Sequence, residues 1–246
     1  MLNNFITKAK LILVDPSLRR RIFFLLAMMA LFRLGSSIPV PGVDQEALAR
    51  FFSGNQFFGL LNVFSGGGLS NLSILMLGVG PFITGSIIMQ LLTIMFPALK
   101  RLYHEEGEAG RRKFTQYSRL LTVPLAALQG LALLVLLENQ GVIFHLSTAG
   151  KAMNILTVVA GSVLLMWIGE LISEYGIGNG VSMLIMAGIL AGIPSSVTAL
   201  FINFDASQLP IYLAYLVAVV VIVAGVVVIT EAERPVPVTY AKRVRG

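Results

Sequence analysis

An all-α, polytopic membrane protein is the fold class that this sequence predicts, with six transmembrane helices plus a short re-entrant half-helix. Three observations carry that expectation. Of the 246 residues 56% are hydrophobic and only 12% charged, whereas soluble domains carry roughly 25% charged residues. Six apolar runs, 22–38, 72–96, 120–137, 152–169, 181–201 and 211–230, meet the length of about 20 residues that a spanning helix needs. Residues 51–99 hold no charged residue over 49 positions, more than one span of about 20 can use.

The first run follows Lys8, Lys10, Arg19, Arg20 and Arg21 and leads into Pro39-Val40-Pro41-Gly42. A cleavable signal has an apolar region of about 7 to 15 residues ending at a small-residue site, so this run reads as a retained first span. Between the first and second runs lies the surplus apolar piece, about 56–71, with Gln56, Asn62, Ser65, three glycines at 66–68, Ser70 and Asn71. That composition is too polar and glycine-rich for a lipid-facing helix, and broken backbone at membrane depth survives only where protein or water surrounds it. A re-entrant element is expected there, with a loop in the headgroup region as the alternative. Residues 97–119 read as a charged loop, Gly176-Ile177-Gly178-Asn179-Gly180 as a tight turn, and 231–246 as a basic tail.

Lys and Arg number fifteen in the N-terminus, the 97–119 segment and the tail, against Arg50 and Lys151 on the other side. Positive residues stay cytoplasmic, which places both ends of the chain there. Cysteine is absent and His104 and His145 are the two histidines, so thiolate chemistry, disulfides and imidazole metal clusters have no basis. No phosphate-binding loop motif occurs. No catalytic residue, metal site or cofactor is expected, and the chain does not read as an enzyme.

Ionisable residues inside the runs are suspects by default. Arg33 lies near the outer end of its helix, where its side chain can snorkel to the interface or enter a buried ion pair. Glu170 and Glu174 stand one helical turn apart, an acidic face that could pair with the basic neighbouring loops; a solvated helix end is preferred over an acid–base or cation site. Val79 and Ile83 share a helix face, with ordinary bundle packing as the plain reading, and Pro81 is expected to weaken the second span locally. Gly188 and Gly192 form a small-residue pair of the packing kind.

Five motifs then coincide in order: Phe32-Arg33-Leu34-Gly35-Ser36-Ser37-Ile38-Pro39-Val40-Pro41-Gly42, Asn62-Val63-Phe64-Ser65-Gly66-Gly67-Gly68-Leu69-Ser70, Gly107-Glu108-Ala109-Gly110-Arg111-Arg112-Lys113, Met166-Trp167-Ile168-Gly169-Glu170 and Tyr175-Gly176-Ile177-Gly178-Asn179-Gly180. Together they resemble the SecY family of protein-conducting channel subunits. The resemblance implies one half of an inverted-repeat channel of ten spans plus the next helix, so the chain is expected to be an N-terminal fragment. It implies a five-span half over 22–201 after a cytoplasmic N-terminus, 1–21. An external hinge loop at 202–210, a sixth span at 211–230 and the start of a large cytosolic loop at 231–246 would follow.

By the same resemblance the plug lies at about 59–71, carried by Asn62, Phe64, Ser65, Gly66, Gly67 and Gly68. Val79, Ile83 and Ile185 match the hydrophobic pore ring. Ile185 lies only about 6 Å along its helix, so the fifth span is expected to begin inside a cytoplasmic funnel. Arg111, Arg112, Lys113, Lys242 and Arg243 match a cytosolic partner surface. The implied partners are SecE, SecG, SecA, the translating ribosome, signal-sequence-bearing polypeptides and membrane lipid, with nucleic acid met only through the ribosome. The implied place is the bacterial cytoplasmic membrane. A secondary transporter, which also uses broken helices, and a membrane-embedded enzyme are the alternatives, and apolar Val79 and Ile83 argue against the ionisable midplane chemistry of a transporter.

Overall fold

A computed structural model of the chain describes residues 15–54, 58, 59, 62, 65, 67–143, 147–202 and 206–232. The fold is all-α. Among the described residues there is no strand, only two isolated bridges, Pro39 with Ser73 and Val43 with Ile143. The chain divides into two units, Met1–Ser195 and Ser196–Gly246.

The first unit opens with α1, Pro16–Ser36. Asp15 caps it by accepting from the Ser17 N–H at 2.9 Å, and Pro16 sits in the first turn, where a missing N–H costs nothing. The helix starts earlier than the apolar run, so Arg19, Arg20 and Arg21 are helical. α2, Gln45–Gly54, is short and capped by Asp44, whose carboxylate accepts from the Glu46 and Ala47 N–H groups at 2.9 and 3.1 Å.

The second span departs from expectation at its start. Residues 67–79 form a run of turns rather than helix, and α3 begins only at Gly80, spanning Gly80–Met95. Two residues explain the late start: Gly78 adopts φ +60°, and Pro81 stands in the first turn. Pro81 therefore opens the helix instead of weakening its middle. At the other end Phe96 is extended, with φ −113° and ψ 108°, the conformation that a following proline favours. α4, Pro97–His104, leaves it at a bend of 114°.

Residues 97–119 are not a loop. After α4, Gly107 at φ +61° begins α5, Gly107–Asn139, so Arg111, Arg112, Lys113 and Arg119 stand on its first turns. At 1.5 Å per residue its 33 residues run about 50 Å, beyond the roughly 30 Å of a bilayer core. Its buried positions step by four through Gly110, Phe114, Ser118, Thr122, Ala126, Gly130 and Leu134. Small residues let backbones approach: a Cβ on Gly85 of α3 would lie 3.3 Å from the Ser118 carbonyl oxygen. α6, Thr148–Tyr175, packs against α5, α1 and α3. A Cβ on Gly161 of α6 would collide with the Ile74 carbonyl oxygen, so glycine is what admits the 67–79 turns against this helix. The turn after Tyr175 brings Gly180 onto Gly169, and its N–H donates to Ser173 Oγ at 2.8 Å. α7, Gly180–Ile202, follows.

Two apolar clusters hold this unit. One joins Val40, Leu48, Leu72, Met76, Leu137 and Val142 at the end bearing α2. The other joins Phe32, Leu75, Val79, Leu165, Ile168, Ile172 and Leu184 in the middle of the bundle. The second unit contains a 3-10 turn, Ala206–Gln208, and α8, Leu209–Glu231.

By length and composition three described helices can cross a membrane, α5, α6 and α8, or four if the bent α3–α4 pair is one span. The six apolar runs of the sequence include two further helices. α1 carries four arginines in its 21 residues, and the apolar stretch of α7 that meets the shorter criterion is Gly180–Pro194.

Candidate functional site

The turns of 67–79, the start of α3 and the start of α7 meet in one place. Val79 caps α3, and its carbonyl accepts from the Ile83 N–H at 3.1 Å, which puts the two side chains one turn apart. Val79, Ile83 and Ile185 line a single cavity of about 280 Å³ together with Ser65, Leu69 and Gln129. Positions 79 and 185, far apart in sequence, are thus neighbours. Val79 is also core: it is 4% exposed and packs with Phe32, Leu165 and Leu184, whereas Ile83 and Ile185 are only partly buried beside that cluster.

Of the residues expected to carry a plug, Asn62, Ser65, Gly67 and Gly68 are described, and Phe64 and Gly66 lie outside the described residues. Asn62 organises the turn. Its carbonyl accepts from the Gly67 N–H at 2.9 Å and from Ser65 Oγ at 3.0 Å, and its side-chain oxygen accepts from the Ser70 N–H at 2.7 Å. Ser65 Oγ in turn accepts from the Leu69 N–H at 3.1 Å. Gly67 takes φ +80°, a region that glycine enters without a Cβ penalty, and a Cβ on Gly68 would lie 3.0 Å from the Leu75 carbonyl oxygen. Broken backbone is thereby satisfied internally, with Leu69, Leu72, Leu75 and Met76 buried, as non-helical chain within a membrane protein requires.

The charged surface gathers at one end. Arg111, Arg112 and Arg119 line a groove of about 570 Å³ with Glu108 and Glu174, and Lys113 is exposed beside them. Lys242 and Arg243 lie outside the described residues. Glu170 is not a solvated helix end: it accepts from Arg119 Nε at 2.6 Å, tying α6 to α5, with 42% and 25% of the Arg119 and Glu170 side chains exposed. A pair this open contributes at most about 1 kcal/mol. At the opposite end Lys151 pairs with Glu138 at 2.7 Å.

Two residues gain a role that the sequence left undecided or unseen. Gln129, the lone amide in the apolar run 120–137, lines the cavity, and its isolation among aliphatic residues was the available signal. Arg33 is exposed and forms no ion pair among the described residues, and its guanidinium lies beside the Gly67 turn. Among the described residues a Cβ on Gly192 would meet no atom within 4 Å, and this position of α7 lines a cavity. No group of three or more His, Cys, Asp or Glu among the described residues is placed to hold a metal.

The family model described as SecY matches residues 73–246. The protein translocase subunit SecY of Pseudomonas aeruginosa is 43% identical over 230 residues, which cover 92% of this chain and 52% of that protein. The protein of the same description from Mycobacterium bovis is 38% identical over 260 residues, covering 100% of this chain and 57% of that protein. The chain spans about half the length of the curated relatives it matches. Among solved structures, one described as "The structure of a protein conducting channel" superposes with a TM-score of 0.53 at 20% identity, over 73% of this chain and 38% of that chain. Another, "Sec61 in the Canine ribosome-channel complex from the endoplasmic reticulum", gives 0.59 at 20% identity, over 94% and 52%. These two likenesses carry the fold. With its apolar helices and its relatives together, the chain is a multi-pass membrane protein, and it belongs to the SecY family.

Proposed function

We propose that this chain supplies one half of the wall of a protein-conducting channel, which moves unfolded secretory polypeptides across the cytoplasmic membrane and membrane proteins into it. The observation that carries this reading is the convergence of Val79, Ile83 and Ile185 with Ser65 and Leu69 on one largely apolar cavity. Branched apolar side chains at a constriction exclude water, and so ions, while yielding to a passing chain. The 59–71 segment acts as the plug: its Ser65 and Leu69 line the same cavity as the three ring residues, and hydrogen bonds among Asn62, Ser65, Gly67 and Ser70 shape it. The cavity's described lining offers no ionisable group, which sets it apart from a solute carrier.

In this reading the end bearing Arg111, Arg112 and Lys113 is cytoplasmic and receives SecA or a ribosome, and Lys242 and Arg243 serve the same partners. SecE and SecG complete the assembly. The five-span half covers 22–201, the hinge loop 202–210 contains the turn Ala206–Gln208, α8 supplies the sixth span and 231–246 starts the large cytosolic loop. Movement is powered by the partners, and the chain performs no catalysis and binds no cofactor.

The test removes 59–71 from the full-length channel assembled with its partners and measures ion flux from reconstituted vesicles at rest. The spans should still insert and resting flux should rise. Unchanged flux with normal insertion would overturn the plug.

A further inference from the structure

Arg33 is the one arginine placed late in α1, and its Nη1 would lie 3.4 Å from a Cβ on Gly67. The guanidinium is therefore in van der Waals reach of the turn itself, at the residue whose φ of +80° already demands glycine. The same side chain lines a cavity of about 290 Å³ with Asn62, Gly67, Ser70 and Asn71 on one wall and Gly188 and Gly192 of α7 on the other. Asn62, Gly67 and Ser70 are the members of the hydrogen-bonded knot that shapes the segment: Ser70 N–H on Asn62 Oδ1, Gly67 N–H on the Asn62 carbonyl, Ser70 Oγ on the Gly67 carbonyl. A planar group with five donors thus faces a cluster rich in carbonyl and amide oxygens, across polar space wide enough for bridging water.

We propose that Arg33 is a positioning residue for the plug: it holds the turn through Asn62, Gly67 and Ser70 in its seat by water-bridged hydrogen bonds across the cavity they share, and lets go when a passing chain displaces the turn. This rests on the reading of 59–71 as a plug. The physical case is one of alternatives. The turn's oxygens each accept a hydrogen bond from within the turn, and a carbonyl oxygen has a second lone pair that a donor across a half-polar space can use. A guanidinium supplies several at once from a helix fixed by its own packing, and hydrogen bonds with a charged donor are roughly twice as strong as neutral ones. Release costs little net energy because the cavity is already polar, so the device biases the seat without locking it. Small residues on α7 leave the arginine room to swing: a Cβ at Gly192 would touch nothing within 4 Å.

The experiment measures resting ion flux from vesicles holding the full-length channel with its partners, comparing wild type, Arg33→Gln, Arg33→Lys, the 59–71 deletion, and Arg33→Gln within that deletion. Arg33→Gln should raise resting flux on the order of tenfold, the factor that about 1.4 kcal/mol represents. Arg33→Lys, keeping the charge without the fork, should lie between it and wild type, and Arg33→Gln should add nothing in the deletion background. Wild-type flux in Arg33→Gln, with a leaking deletion, overturns the positioning role and leaves the plug standing. Added flux in the deletion background also overturns it, since the arginine would then act on the helices. A deletion that does not leak removes the plug reading and this proposal with it. Should Arg33→Gln fail to accumulate, Arg33→Lys alone decides: wild-type flux in it counts against the proposal, raised flux that vanishes in the deletion background supports it.

Discussion

Val79 and Ile83 separate two roles that a sequence pattern merges. Branched aliphatic side chains one turn apart serve a bundle core and a dry constriction equally well, so periodicity left packing as the plain reading, and the resemblance alone singled the pair out. The structure divides them, because Val79 is buried among Phe32, Leu165 and Leu184 while Ile83 stands at the cluster's edge and lines the cavity. Two single substitutions therefore behave differently. Val79→Asn buries an amide without a partner, at roughly 1 to 3 kcal/mol, and should lower accumulation and the unfolding midpoint in detergent. Ile83→Asn should accumulate normally and raise resting ion flux, because an amide at the cavity wall favours water over the dry state. Normal accumulation of Ile83→Asn with wild-type flux would place that face outside the pore. Arg33 shows the complementary limit: its depth in the helix was readable, but its neighbour was not, since Gly67 lies across a non-helical segment that no period describes.

At the scale of elements, apolar length found the helices and misplaced their ends. Charges made 97–119 look like a loop, yet a helix satisfies its own backbone in water as in lipid, and α5 simply projects beyond the bilayer thickness. Apolarity made 72–79 look like span, yet these residues are turns because Gly78 and Pro81 delay the helix and α6 covers the broken backbone. The glycine that allows this cover is Gly161. Placing a Cβ there drives it into the Ile74 carbonyl oxygen, so Gly161→Ala must push the turns off α6, with an overpacking cost of about 1 to 3 kcal/mol. Gly130→Ala is the matched comparison, since its Cβ would sit at an ordinary 3.6 Å from Val158 and alanine gains about 1 kcal/mol of helix propensity over glycine. The unfolding midpoint of purified full-length protein should fall for Gly161→Ala and hold or rise for Gly130→Ala. Equal midpoints would remove the close approach as the reason for glycine at 161.

For the whole molecule, the charge count read from the linear chain becomes a geometric statement. Glu174 lines both the groove holding Arg111, Arg112 and Arg119 and the groove holding Arg20 and Arg21, so the starts of α1 and α5 share an end with the finish of α6. The opposite end is tied by the Asp44 N–H donating to the Val142 carbonyl at 3.1 Å and by Asn154 donating to the Pro41 carbonyl at 3.5 Å. There the described cations are Arg33 in the last turn of α1, Arg50 of α2 and Lys151, and Lys151 is neutralised by Glu138. Positive residues near span ends set orientation, and a packed bundle cannot invert one helix without inverting the rest, so all helix ends gathered at one end of the first unit must report the same side. Reporters inserted between elements test this without cutting one: after Glu106, between α4 and α5, a cytoplasmic reporter should be active and an external one silent. After Gly141, in the turn at φ +70° beyond α5, the pattern should reverse. Activity of the external reporter after Glu106 and of the cytoplasmic one after Gly141 would invert the bundle. The cavity, the segment proposed as a plug and Arg33 would then face the opposite compartment, and the basic groove could not be the surface on which a cytosolic partner docks.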